Sequence, residues 1–416
     1  MHRILKAIST PTAKTSAIFY IGNFTNSIFR YLFHLVLLRF LAPAEYGEFL
    51  SYLSLIYLLS IPMTTIATVI TKYVSEFKGK EDKVSINLFF HHILHTFTPI
   101  AFLLSLLLVL FSGPLAILFK AQAPVFVILG ISVFISLFQT TLNSYLIAFQ
   151  KFIFQTVLGL FGVVITILIS IALIKVGFGA TGAVIGQILG GIIPSIIIFL
   201  KLKSVLVPKA VVKNAPHISF TSFMGYSFLF ALGTMSLIST DILVVRIIFD
   251  PHSSGIYSSL SILGRIILFG LLPLVGLVLP IASHRHAATG SAKSIFIKLG
   301  AVITLFGLIG AGIFSTFPEL IVRMLSGPAY LEVAEYLPLF AFTMVFFALS
   351  QFITSFLMAT GKPKATLLLI AASVIQPLAF VLTGLAISHI VMVNFFLHAC
   401  LLTSLIITYF HLSHRD

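Results

Sequence analysis

The sequence predicts an all-α polytopic membrane protein, with twelve transmembrane helices in two pseudo-symmetric six-helix lobes around a central cavity. Three observations predict it. Of 416 residues, 59% are hydrophobic and only 9% charged, against about 25% charged in soluble domains. The apolar residues fall into blocks of roughly 20–30, each long enough to cross a bilayer. Basic residues return at every second connection between blocks.

The elements follow in order. Thr15–Leu41 comes after Arg3, Lys6 and Lys14, a basic start like that of a signal peptide. The block runs on for some 27 residues without a small-x-small cleavage pattern and is expected to be retained. Glu45–Val74 returns to Lys72, Lys78, Lys80 and Lys83. Val84–Phe111 and Pro124–Phe149 are joined past Lys120 and come back to Lys151. Phe152–Lys175 and Thr181–Leu202 lead to Lys201, Lys203, Lys209 and Lys213. Ser219–Phe249 and Gly255–Ser283 reach Arg285, Lys293 and Lys298. Ile295–Phe317 and Glu332–Thr360 reach Lys362 and Lys364, and Pro363–Ser388 and Ile390–Leu412 end near Arg415. Ser388-His389 is a weak break between the last two.

Eighteen of the 25 basic residues thus share one side, and only Lys120, Lys175 and Arg323 lie on the other, with Glu45, Glu48, Asp250, Glu319, Glu332 and Glu335. The positive-inside bias places both termini in the cytoplasm of a plasma (inner) membrane protein. It also removes the need for a nucleic-acid partner, which a formal charge of +14 would otherwise suggest. The single cysteine, Cys400, excludes an intrachain disulfide framework. No connection exceeds about 20 residues, which leaves no room for a soluble catalytic domain.

The longest basic connection, Lys201 to His217, divides the chain into an N-terminal lobe (1–203), a cytoplasmic linker (204–217) and a C-terminal lobe (218–416). The halves echo each other. Arg39-Phe-Leu-Ala-Pro43-Ala-Glu-Tyr-Gly47 is matched by Arg246-Ile-Ile-Phe-Asp-Pro251-His-Ser-Ser-Gly255, and Leu146-Ile-Ala148-Phe-Gln-Lys151 by Leu357-Met-Ala359-Thr-Gly-Lys362. Six spans per repeat give both halves the same orientation, about an axis along the membrane normal. That is a transporter's architecture. Gly182, Gly186 and Gly190 form a small-xxx-small stripe suited to close helix approach.

Charged side chains inside spans are the expensive ones. Arg30 is near the middle of the first span, on a polar stripe with Asn23, Asn26, Ser27 and His34. The stripe is expected to line a cavity and offer a cation to an anionic ligand; the alternative is a buried structural pair. Arg265 is ten residues into the eighth span, so each half offers one mid-membrane arginine. Two guanidiniums suit a phosphate or diphosphate. Asp241 is expected to pair with an arginine, or else to coordinate a coupling cation or satisfy a helix end. Arg39 and Arg246 are expected to be interfacial anchors, snorkelling to headgroups. His91, His92 and His95 lack a carboxylate or cysteine partner on their helix, so no metal is assigned, and His284-Arg285-His286 reads as a solvated or phosphate-facing cluster. No nucleotide loop, zinc signature or nucleophile elbow occurs, so neither enzyme activity nor a cofactor is expected.

Arg39-Phe-Leu-Ala-Pro43-Ala-Glu45-Tyr46-Gly47 resembles the R-x-L-x-P-x-E-Y-G junction of polysaccharide transporters, the oligosaccharide-lipid (O-antigen type) flippases. These belong to the multidrug/oligosaccharidyl-lipid/polysaccharide exporter superfamily. Asp241-Ile-Leu-Val-Val…Gly255-Ile-Tyr257, Pro318-Glu-Leu-Ile…Gly327-Pro-Ala-Tyr330 and Thr360-Gly361-Lys362 are similar to three further short motifs of that family. The resemblance implies two six-helix lobes around a cationic cavity, with Arg30 and Arg265 as its cations. It further implies passage of undecaprenyl-diphosphate-linked oligosaccharide from the cytoplasmic to the outer face, amid membrane lipids and beside polysaccharide polymerase machinery. Relatives that handle the peptidoglycan precursor usually carry two extra C-terminal helices with no counterpart here, which favours a surface-polysaccharide substrate. The alternatives are a cation- or proton-coupled multidrug antiporter of the same fold and a membrane polysaccharide polymerase or ligase. Against the first, no acid is embedded in the N-terminal spans. Against the second, the longest external connection, about Thr316–Leu331, is short and holds only Arg323.

Overall fold

The computed structural model of the protein describes residues 11–206, 222–289, 292–383 and 386–413. Arg3, Lys6, Lys209, Lys213, His217 and Arg415, with the side chains of Lys14, Asn23, His284 and His286, lie outside the described residues. The described chain is helical, with no strand. Among the described residues nine helices are long and apolar enough to cross a membrane, or ten counting one bent pair. Phe152–Ser204 counts there as one 53-residue segment, although its backbone turns midway.

Each expected span falls on one helix or on two consecutive helices. The first unit contains α1 (Pro11–Phe40), α3 (Ile61–Gly79), α4 (Lys83–Leu110), the short α5 (Ser112–Leu118), α6 (Ala123–Ala148), α7 (Phe152–Leu173) and α8 (Gly179–Leu206). Asp82 starts α4 by accepting from the Ser85 amide at 2.9 Å and the Ser85 hydroxyl at 2.6 Å, satisfying donors that a helix start leaves open. Those hydrogen bonds hold the Asp82 carboxyl below the usual carboxylate range. Between α7 and α8 the chain reverses at Gly177, whose φ of 95° only glycine adopts readily.

The predicted small-residue stripe works as expected. Gly190 faces Thr166 and Gly186 faces Ser170, each so closely that a Cβ would overlap the opposing side chain. The Ser170 hydroxyl crosses to the Ala183 carbonyl at 3.3 Å.

The second unit contains α9 (Ser222–Ile248), α10 (Pro251–Gly276), α11 (Val278–Thr289), α12 (Lys293–Thr316), α13 (Pro318–Leu325), α14 (Leu337–Ala359), α15 (Thr366–Thr383) and α16 (Ile387–Ser413). It also contains α2 (Pro43–Leu59), which the sequence division placed in the N-terminal lobe. The second span is therefore two helices, α2 and α3, bent by 46° at Ser60. Pro62 has no N–H to return to Leu58, which loosens the ladder there. Pro280 similarly has none for Gly276, at the break between α10 and α11.

The helix pairings of the two units correspond. In the first, α1 packs on α7, α4 and α3 on α6, and α7 and α6 on α8. In the second, α9 packs on α15, α12 and α10 on α14, and α15 and α14 on α16. This helix-for-helix match is what the sequence repeat anticipates.

Candidate functional site

In the first unit the polar stripe of α1 divides. Asn26 turns onto α7, where its amide donates to the Thr156 carbonyl at 3.4 Å, and a Cβ on Gly159 would stand 2.6 Å from its oxygen. It is helix-packing glue rather than a cavity wall. His34 is buried beside Tyr31 and Phe33. Ser27 and Arg30 stay on the open face of α1, and among the described residues Arg30 forms no ion pair. Arg39 is exposed in the last turn of the same helix.

The second unit holds a closed polar core. Arg265 is only 3% exposed, and its Nη2 reaches both Asp241 oxygens at 2.9 and 3.0 Å and also the Ile238 carbonyl. Tyr257 donates to Asp241 at 2.9 Å and accepts from Asn394 at 2.9 Å. Gln376 donates to the Asn394 side-chain oxygen at 2.9 Å and to the Leu237 carbonyl at 3.3 Å. One turn on, His398 Nδ1 meets the Asn394 carbonyl at 2.8 Å. The network ties α9, α10, α15 and α16 together.

This corrects the expectation for Arg265. Its guanidinium is neutralised by Asp241 and closed inside the unit, so it is not a free cation on a cavity wall. Desolvating an unpaired arginine in an apolar bundle is prohibitive, and Asp241, 2% exposed one helix away, is the carboxylate that meets it. Of the roles weighed for Asp241, the geometry is that of pairing with an arginine.

Arg246 also departs from its expected place. Rather than snorkelling to headgroups, it is 1% exposed, with Nη2 at 3.9 Å from Glu48 and Nη1 at 3.4 Å from the Ala44 carbonyl, both on α2. Glu48 in turn accepts from the Tyr52 hydroxyl. His91 Nε2 and the Asn87 amide both meet the Leu206 carbonyl at the end of α8, at 3.1 and 2.7 Å. Among the described residues no group of three or more His, Cys, Asp or Glu is placed to hold a metal ion.

The sequence reading missed Tyr257 as a structural donor, and missed Gln376, Asn394 and His398 altogether. The signal was present: Asn394 and His398 are four apart on one face of an apolar span, and polar side chains at that depth seek partners.

The fold has known counterparts. A multidrug resistance MATE family transporter of the MOP superfamily, inward-facing, superposes with a TM-score of 0.75 over 94% of this chain and 96% of its own, at 12% identity. The protein has the fold of MOP-superfamily transporters. The lipid II flippase MurJ, in an inward closed conformation, gives 0.70 over 94% of this chain and 87% of its own, at 14% identity. A MOP superfamily transporter from Pyrococcus furiosus gives 0.66 at 13% identity, with 95% of each chain covered. No family model matches the sequence, and no curated protein matches it.

Proposed function

We propose that this protein is a transporter that moves an anionic, lipid-linked oligosaccharide, of the undecaprenyl-diphosphate class used for surface polysaccharide, from the cytoplasmic to the outer face of the inner membrane. The observation that carries this reading is Arg30, an exposed cation partway along an apolar helix and without an ion pair among the described residues. A cation kept in such a place has a ligand to meet, and a guanidinium forks onto phosphate oxygens. The sugars would occupy the wet side of α1, and the lipid tail would stay in the bilayer. With both termini cytoplasmic, as the basic loops favour, an inside-negative potential of about 100 mV would drive a dianion outward by roughly 4–5 kcal/mol. The lipid II flippase of the same fold supports a lipid-linked cargo.

A multidrug antiporter is the second reading, favoured by the MATE transporters of the same fold. Against it, the helices of the first unit carry acids only at their cytoplasmic ends, Glu76 and the residues of the following turn, so a cationic drug would meet Arg30 and no opposing carboxylate.

The test is deletion followed by analysis of lipid-linked sugars by leaflet. Arg30→Ala should accumulate them on the cytoplasmic face while the protein reaches the membrane at its parental level, and Arg30→Lys should retain part of the activity. Full export by Arg30→Ala sinks the assignment. Proton- or sodium-driven efflux of a cationic dye would replace it with the second reading.

A further inference from the structure

Between α15 and α16, the last two helices of the second unit, lies an open groove of about 480 Å³, within the range of about 300–1,000 Å³ that small-ligand sites occupy. Its origin is in the sequence. Along α15 the residues facing it recur at helical spacing, and three of the five, Ala371, Ala372 and Ala379, are alanine. Opposite them α16 presents Met392, Phe396 and Cys400. On the edge turned to the polar core the two helices are pinned by Gln376, whose amide donates to the Asn394 side-chain oxygen at 2.9 Å. A pair fixed along one edge and lined by short side chains along the other stays open.

Both helices are long and apolar enough to cross a membrane, so the groove faces the bilayer. A gap left there forfeits dispersion contacts on both walls, and a surrounding apolar chain that enters it regains them. Two features indicate which chain. The first is length. From Leu368 to Ala379 the groove follows eleven residues of helix, about 16 Å. Half of a hydrocarbon core about 30 Å thick is about 15 Å, the depth of one acyl chain.

The second feature is charge. Lys364 is exposed one turn before Leu368, and His411 is exposed in the last turn of α16, at the same end of the pair. Lys362 donates to the Leu412 carbonyl at 2.9 Å and ties the two helices together at this foot. No aspartate or glutamate occurs between Glu335 and Asp416, so α14, α15 and α16 set no carboxylate against an anion there.

We infer that the groove is a binding site for an anionic phospholipid, with one acyl chain against Ala371 and Ala379 and the phosphate at Lys364. On the orientation that the basic loops favour, this lipid belongs to the cytoplasmic leaflet, whose anionic headgroups attract basic residues at helix ends. The site requires that α15 and α16 span a membrane, not that the cargo be a sugar lipid.

The native thiol reports occupancy. Cys400 is the single cysteine of the chain, exposed and on the groove wall. In the purified full-length protein in mild detergent, dioleoyl phosphatidylglycerol should slow its modification by N-ethylmaleimide several-fold, and phosphatidylcholine of the same chains should slow it less. Lys364→Ala should remove the difference between the two lipids. Equal rates with the two lipids in the parental protein overturn the site, and that measurement needs no substitution.

Native mass spectra give a second reading. The parental chain should retain phosphatidylglycerol, and Ala371→Phe/Ala379→Phe, which fills the groove, should lose it. Leu382→Phe, at an 84% exposed position outside the groove, should retain it. Equal retention by the parental and filled chains overturns the site. So does a dimer without lipid that the filled variant breaks, which would put a second copy of this chain in the groove instead.

Discussion

Asp241→Asn should destabilise the second unit severely, because it removes half of an ion pair and leaves the other half buried. Arg265 is 3% exposed and Asp241 2%, and the guanidinium spends one nitrogen on both carboxylate oxygens. Taking one partner from a buried pair costs about 3–5 kcal/mol, since the survivor keeps its desolvation penalty and loses its compensation. Here the loss spreads, because Asp241 also accepts from Tyr257, which accepts from Asn394. At about 2–4 °C per kcal/mol for a unit of this size, the apparent melting temperature should fall on the order of 10 °C. The assay is thermal unfolding in detergent, read by the loss of the monodisperse peak. The double variant Asp241→Leu/Arg265→Met removes both charges and should recover much of the loss, because similar buried pairs are replaced by apolar residues at little cost. A drop of less than about 2 °C for Asp241→Asn, or a double variant as unstable as the sum of the singles, would refute the closed-pair account.

Three further outcomes follow from the same geometry. Gly177→Ala should cost about 1–3 kcal/mol, because φ at 95° is strained for any residue with a Cβ, and thermal unfolding reads it. Gly190→Ala should cost about 1–3 kcal/mol as well, its methyl forced into Thr166 and the Gly162 carbonyl of α7, whereas Gly225→Ala should be neutral in the same scan. Asp250 starts α10 by accepting from the His252 and Ser253 amides at 2.9 and 3.1 Å, and hydrogen bonds from Ser253 hold its carboxyl below the ordinary value. A depressed carboxylate adds stability that is fully present above its unfolded value of about 3.9 and fades as pH falls through the lower folded value. Asp250→Ala should therefore cost about 1 kcal/mol at neutral pH and progressively less as the pH falls below about 3.9, in a pH series of melting temperatures.

The membrane architecture was legible because the bilayer imposes its period on the chain: every apolar block found its helix, and Gly182-xxx-Gly186-xxx-Gly190 predicted a contact that the Thr166 and Ser170 face of α7 completes. The pairing of charges was less so. Asp241 and Arg265 are 24 residues apart on consecutive helices, and only the turn at Asp250–Pro251 brings them level. Arg246 looked like a headgroup anchor because its partner, Glu48, lies 198 positions away in the other repeat. Span counting assigned α2 to the lobe of its neighbours, whereas packing assigns it to the other. Hydropathy reports burial along a helix and is silent on which helix covers it.

The repeated fold is symmetric and its charges are not, and this difference bears most on function. Both units pair their helices in the same pattern, and each places an arginine within its apolar spans. In the second unit Arg265 has a carboxylate, a tyrosine and two carboxamides in the network around it, so that this core holds no uncompensated charge. In the first unit no acid is embedded at all, and Arg30 remains exposed. A neutral, hydrogen-bonded core has little reach toward an anion, while an uncompensated guanidinium in a low-dielectric setting has a great deal. If an anion passes through this fold, its recognition falls to the first unit, and the Asp241–Arg265 core ties together the helices of the second unit itself.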